Sequence, residues 1–185
     1  MHSTRTSALI LIVIAAAATR LLPHPPNVTS LTALALFGGA CFSDRRLAFA
    51  VPLLALVLSD AVLGLAGSWS EMVMQAHVEV QYLAFALVVC LGLMLGSRRS
   101  VGRVAGYTLA GAVVFFVVSN FGVWLFQSLY PKSMAGLVAC YVAAIPFFRN
   151  SLLGDAGYAL LLFGGMRLLE LKFTSLRDRA APAAR

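Results

Sequence analysis

The stretch 104–126, VAGYTLAGAVVFFVVSNFGVWLF, holds no charged residue and is almost wholly apolar. As a helix rising 1.5 Å per residue it would measure about 35 Å, enough to cross a hydrocarbon core of roughly 30 Å. A helix apolar on all its faces has no side to turn to water, so this stretch predicts a membrane span. The whole chain shares its character: 61% of the 185 residues are hydrophobic and 11% are charged, with a mean hydropathy of +0.90. A soluble domain carries about a quarter charged residues. The prediction is an all-α integral membrane bundle of six transmembrane helices in a single domain, 1–185, with a polar tail over about 174–185.

Working outward, the apolar stretches predict helices over 81–96, 47–65, 28–42 and 7–22 before this span, and over 156–171 after it. The run Pro23-His24-Pro25-Pro26 stops the first helix, since proline supplies no backbone N–H and clashes with the preceding turn. Arg20 and these prolines follow the first apolar run in place of a small-residue cleavage site, so it reads as a retained helix. The second helix, about 22 Å long, is too short for a full crossing and must be tilted, thinly spanned or backed by protein. The segment 67–80 is less apolar and carries Trp69, Glu71, His77 and Glu79. A further helical stretch, 134–148, ends at Arg149 and Asn150.

The net charge of +7 is not a nucleic-acid signal. The basic residues lie in short connections and at the termini: Arg5, Arg45-Arg46, Arg98, Arg99 and Arg103, then Lys172, Arg177, Arg179 and Arg185. Positive loops stay in the cytoplasm, so both termini are expected there. That requires an even number of crossings, with 134–148 laid on the outer side as a re-entrant or surface helix. The same orientation gathers Arg20, His24, Asn27, Trp69, His77, Glu79, Tyr82, Arg149, Asn150 and Asp155 at the outer ends. Asp60 and Asn120 fall in the outer halves of their helices. Polar groups in a membrane are expensive and usually face the bundle, so a one-sided cluster suggests a ligand cup.

Each candidate has a structural and a functional reading. His24, stiffened between prolines, either anchors helix ends or touches a ligand. His77 is either a surface residue or a ligand, with Glu79 near enough in sequence to orient its ring. No second His or Cys stands at metal-ligand spacing, so a protein-only zinc or copper site is not expected. A cofactor that brings its own equatorial ligands and needs one more suits a lone histidine. Asp60 and Arg149 either neutralise each other or Arg20, as buried charges need partners, or line the cup. Asn120 is expected to bridge helices, and Gly38-Gly39 and Gly164-Gly165 to let helices approach closely. Cys41, Cys90 and Cys140 read as small core residues. No catalytic triad, paired carboxylate motif, phosphate loop or HExxH is present, and no enzyme activity is expected.

Several strings carry a resemblance: RLLPHPPN at 20–27, ALALFGGA at 33–40, Pro52 with Ser59-Asp60, SNFGVW at 119–124, and AIPFFRN at 144–150 with Gly154-Asp155. Over about 20–171 the chain resembles small bacterial membrane proteins related to the substrate-binding (S) components of energy-coupling-factor vitamin transporters. Within these it is most similar to the BtuM-type cobalamin transporters. The resemblance implies a six-helix bundle with a vitamin cup open to the outside. It also implies cobalamin bound with its own base off the cobalt and a protein side chain in the axial place. Characterised members use a cysteine a few residues before a tyrosine at the start of helix 4. Here that tyrosine is Tyr82, and five residues before it stands His77; none of the three cysteines falls there.

Imidazole nitrogen is a good cobalt ligand but lacks the reducing strength of a thiolate. The resemblance thus implies uptake of cobalamin or a related corrinoid across the inner membrane, with His77 on cobalt and little decyanation. His24, Asp60, Tyr82 and Arg149 match polar positions of the family and would hold corrin amides. Cobalamin would be the bound substrate, with no cofactor of the protein's own. Other readings keep the fold with a different vitamin, or make the chain a structural or corrinoid-modifying membrane protein. Lacking a nucleotide-binding motif, the protein either docks a separate energy-coupling ATPase module or works alone.

Overall fold

In the computed structural model, residues 2–22, 28, 31–65 and 78–177 are described, and every element among them is helical. Helix α1 (His2–Ala18) closes with a 3-10 turn, Thr19–Leu21. Then come α2 (Leu31–Cys41), α3 (Arg45–Leu63), α4 (Val78–Leu95) and α5 (Val101–Phe126). The last rod is α6 (Met134–Ala159), a π turn at Leu160–Gly164, and α7 (Gly165–Lys172), followed by a 3-10 turn at Thr174–Leu176. Among the described residues, four stretches are long and apolar enough to cross a membrane: Thr4–Leu21, Arg45–Leu63, Val101–Phe126 and Met134–Lys172. Their outward residues include Leu58, Leu153 and Leu160, the last 76% exposed. A surface so densely apolar is a liability in water and the ordinary condition in lipid. The chain is an all-α membrane bundle, as its composition predicts, with six helical rods among the described residues.

The shortest rod is the centre of the bundle. All eleven residues of α2 are buried, and at about 16 Å it reaches halfway through a bilayer. The short second helix is therefore the kind backed by protein. Its glycines make this possible. A β-carbon on Gly39 would strike the Val89 carbonyl and lie 2.8 Å from the Gly92 α-carbon on α4. A β-carbon on Gly92 would meet the Leu36 carbonyl in turn. Gly38 gives the same room to the ring of Pro52, the proline inside α3. Backbone is what each β-carbon would meet at Gly39 and Gly92, and backbone cannot rotate away. Gly39→Leu is therefore expected to prevent a folded monomer from being recovered in mild detergent, while Gly157→Leu, where nothing lies within 4 Å, leaves size-exclusion and thermal profiles near wild type. Equal behaviour of the two variants would refute the close approach of α2 and α4.

The structure corrects the reading of the last third. The stretch 134–148 is not a separate re-entrant helix; it runs without a break into the final span, a 39-residue rod from Met134 to Lys172. Arg149 and Asn150 look like a terminus, but inside a membrane a helix break strands backbone groups that no water can satisfy. Keeping the hydrogen-bond ladder intact costs less, and Pro146 is carried within it. Both ends of the described chain meet at one end of the bundle, where Arg5 Nε donates to the Leu176 carbonyl at 3.0 Å.

Three smaller expectations also change. The Asn120 side chain donates to the Phe116 carbonyl of its own helix; the α5–α6 bridges there are Tyr141 Oη to the Val117 carbonyl and Cys140 Sγ to the Asn120 carbonyl. Gly164 and Gly165 meet open space or ordinary contact, with no tight helix approach. Cys41 and Cys140 are buried, whereas Cys90 is exposed.

Candidate functional site

Three elements bring polar groups together at the end of the bundle opposite the termini. Arg20 sits in the 3-10 turn after α1, Ser59 and Asp60 in the last turn of α3, and Tyr82 in the first turns of α4. Arg20 is 5% exposed. Its Nη2 lies 2.8 Å from Asp60 Oδ1, and its Nη1 donates to Ser59 Oγ. The Ser59 hydroxyl in turn donates to the Leu56 carbonyl at 2.8 Å. Tyr82 Oη donates to Asp60 Oδ2 at 3.3 Å. Among the described residues one cation and one carboxylate cancel, which is the condition for burying either of them in a membrane. Arg20 Nε has no hydrogen-bond partner among the described residues, so this neutral cluster keeps a buried donor in reserve.

Of the sequence candidates, Asp60 and Tyr82 are thus brought together, and among the described residues Asp60 pairs with Arg20. Arg149 is exposed on α6 and makes no hydrogen bond or ion pair with the cluster among the described residues. His24 and His77 lie outside the described residues; in sequence, His77 immediately precedes Val78, the first residue of α4. Neighbouring bonds hold the cluster's frame. Thr19 Oγ1 and Tyr158 Oη are 2.7 Å apart, tying the end of α1 to α6. The buried Asp155 side chain accepts from the Thr32 hydroxyl and the Ala33 backbone N–H, capping the first turn of α2.

The opposite end holds a second charged cluster that sequence reasoning missed. Glu170 Oε1 lies 3.6 Å from Arg5 Nη2 and 3.7 Å from Arg99 Nη2. Arg5 Nη1 also donates to the Cys41 carbonyl at 2.6 Å, and Arg99 Nη1 to Cys41 Sγ at 2.9 Å. Arg5 and Arg99 read in the sequence only as topology signals. The available clue was Glu170, one of two acids, with Asp178, in a mainly basic final turn and tail. Polar groups therefore occupy both ends of the bundle, not one.

Among the described residues no group of three or more His, Cys, Asp or Glu side chains is placed to hold a metal ion. Taken together, the helical rods, the lipid-ready surface and the neutral buried cluster define an integral membrane bundle with a polar site at one end. The chain belongs to the Family of unknown function (DUF6580), whose model matches residues 1–177. Neither curated proteins nor solved structures give a match.

Proposed function

We propose that the protein binds a corrinoid, cobalamin or a close relative, at the Arg20–Asp60–Tyr82 end and carries it across the inner membrane. The observation behind this reading is the convergence of donors and an acceptor from three elements into one neutral, largely buried cluster. Amide groups offer both a carbonyl and an N–H2, so such a cluster suits the amide arms of a corrin better than a charged ligand. Tyr82 lies one helical turn into α4, whose chain leads back directly to His77, the axial ligand of this reading. His24 and Arg149 would add contacts from the same side. The abundance of Arg at the end where the described chain begins and ends supports a cytoplasmic position for that end, with the site toward the periplasm. The role is binding and transport, not catalysis; whether an ATPase module docks on the bundle bears on the energy source alone.

Titration of the purified protein with aquocobalamin checks the reading. A base-off, nitrogen-ligated absorption spectrum is expected, and His77→Ala should lose it together with at least tenfold in affinity, the order seen when a metal's support is removed. Free imidazole protonates near pH 6.5, and the protonated ring has no lone pair for cobalt, so wild-type binding should weaken below about pH 6. Protein that takes up no cobalamin would end the proposal, and a vitamin growth-rescue panel would then identify the ligand. Unchanged spectra in His77→Ala would remove the axial role alone.

A further inference from the structure

A second feature lies on the flank of the bundle, where α5 diverges from the α6–α7 rod. A groove of about 350 Å³ opens there. Val104, Leu109, Leu152 and Phe163 form its walls. Its floor is kept low by Ala105, Ala156, Ala159 and Gly164. The π turn Leu160–Gly164 runs along it, and π turns inside α-helices are frequent at functional sites. Only its end nearest the chain termini is charged, where Arg99 and Arg167 line it. Arg99 is shared with Glu170. Arg167 is exposed and makes no hydrogen bond or ion pair among the described residues. The first turn of α5 begins beside Arg99, and no side chain caps it, which leaves N–H groups suited to an anion.

We infer that this groove holds one acyl chain of an anionic phospholipid from the leaflet on the side of the termini, with the phosphate at Arg167 and the start of α5. The dimensions favour a lipid over a helix from another protein. Along α5 the groove extends about 12 Å from Val101 to Leu109, and along the last rod about 22 Å from Arg167 to Leu152. These bracket the roughly 15 Å depth of one leaflet's hydrocarbon. A polymethylene chain some 4–5 Å across by carbon contact distances fills on the order of 250 Å³ over that depth. A helix about 10 Å wide would need roughly 1,000 Å³. The charge agrees as well: basic pockets between membrane helices at a leaflet surface select anionic headgroups.

Native mass spectrometry of the full chain, released from nanodiscs of equal phosphatidylglycerol and phosphatidylcholine, tests this. One retained phosphatidylglycerol per protein is expected. Arg167→Gln should lower its retention relative to phosphatidylcholine about fivefold, the loss of one basic contact at the lipid surface. Arg167→Lys should restore most of it. Ala156→Leu, at an exposed position that fills the groove, should displace lipid of either kind. Thermal profiles of all three variants should match wild type, because neither position is in the core. Equal retention of the two lipids, retention indifferent to Arg167→Gln and Ala156→Leu, or a bound polypeptide mass in place of lipid would each overturn the inference.

Discussion

Asp60→Leu is expected to destabilise the folded bundle by about 5 kcal/mol and Arg20→Met by about 3, the range measured when one partner of a buried ion pair is removed. The order follows from what each change leaves behind. Without Asp60, the Arg20 guanidinium stays charged on a side chain only 4% exposed. Without Arg20, the Asp60 carboxylate is left on a side chain 20% exposed, where solvent screens part of its charge. The double variant Arg20→Met/Asp60→Leu should recover most of the loss, since a pair replaced by apolar groups is often neutral. Reversible denaturation in mixed detergent micelles gives all three values. The double variant also separates the structural reading of the pair from the functional one. A variant that regains stability but no longer binds aquocobalamin marks the pair as part of the site. One that regains both marks it as a helix tie, and single costs below about 1 kcal/mol would mean the pair is solvated.

Glu170→Gln should be comparably severe, and for a different reason. Among the described residues, the cluster at the termini carries two arginines and one carboxylate. Removing the carboxylate leaves two cations with less than an eighth of each side chain exposed, and a cost of about 3–5 kcal/mol is expected. Arg99→Met leaves the Arg5–Glu170 pair intact at one charge each, so it should cost about 1 kcal/mol or less. In the Glu170→Gln background the sign should reverse: Arg99→Met then relieves like-charge repulsion and stabilises. A double-mutant cycle reads this directly. A destabilising Arg99→Met in both backgrounds would show that Glu170 does not hold the two arginines together. Because this cluster joins α1, the α4–α5 turn and the last helix, its loss should also free the C-terminal segment to earlier proteolysis.

The division between what could be read and what could not follows the range of each interaction. Hydropathy is a property of neighbours in sequence, so the spans, the stop at Pro23, the end of α4 at Gly96 with its positive φ of 55°, and the closeness allowed by Gly38-Gly39 were all legible. Asp60 and Tyr82 were recognisable as site candidates because a polar residue in an apolar run is conspicuous by itself.

Partners were another matter. Asp60 had Arg20 and Arg149 as equally reasonable counter-ions, and nothing local separates them; the choice depends on the 3-10 turn after α1 meeting the end of α3. Arg5 and Glu170 lie at opposite ends of the chain, and their contact exists only because the first and last rods are neighbours. The continuity of the last helix is decided in the same way. Local residues at Arg149-Asn150 signal an end, while the membrane's demand that every backbone group be bonded, met with α5 alongside, keeps the helix going. By itself, then, the sequence determined the membrane class and the helical segments, both set by the burial preferences of consecutive residues. Only the tertiary structure decided which charges pair, which helix lies at the centre and where the groove opens, because those depend on distances between residues that the chain brings together only on folding.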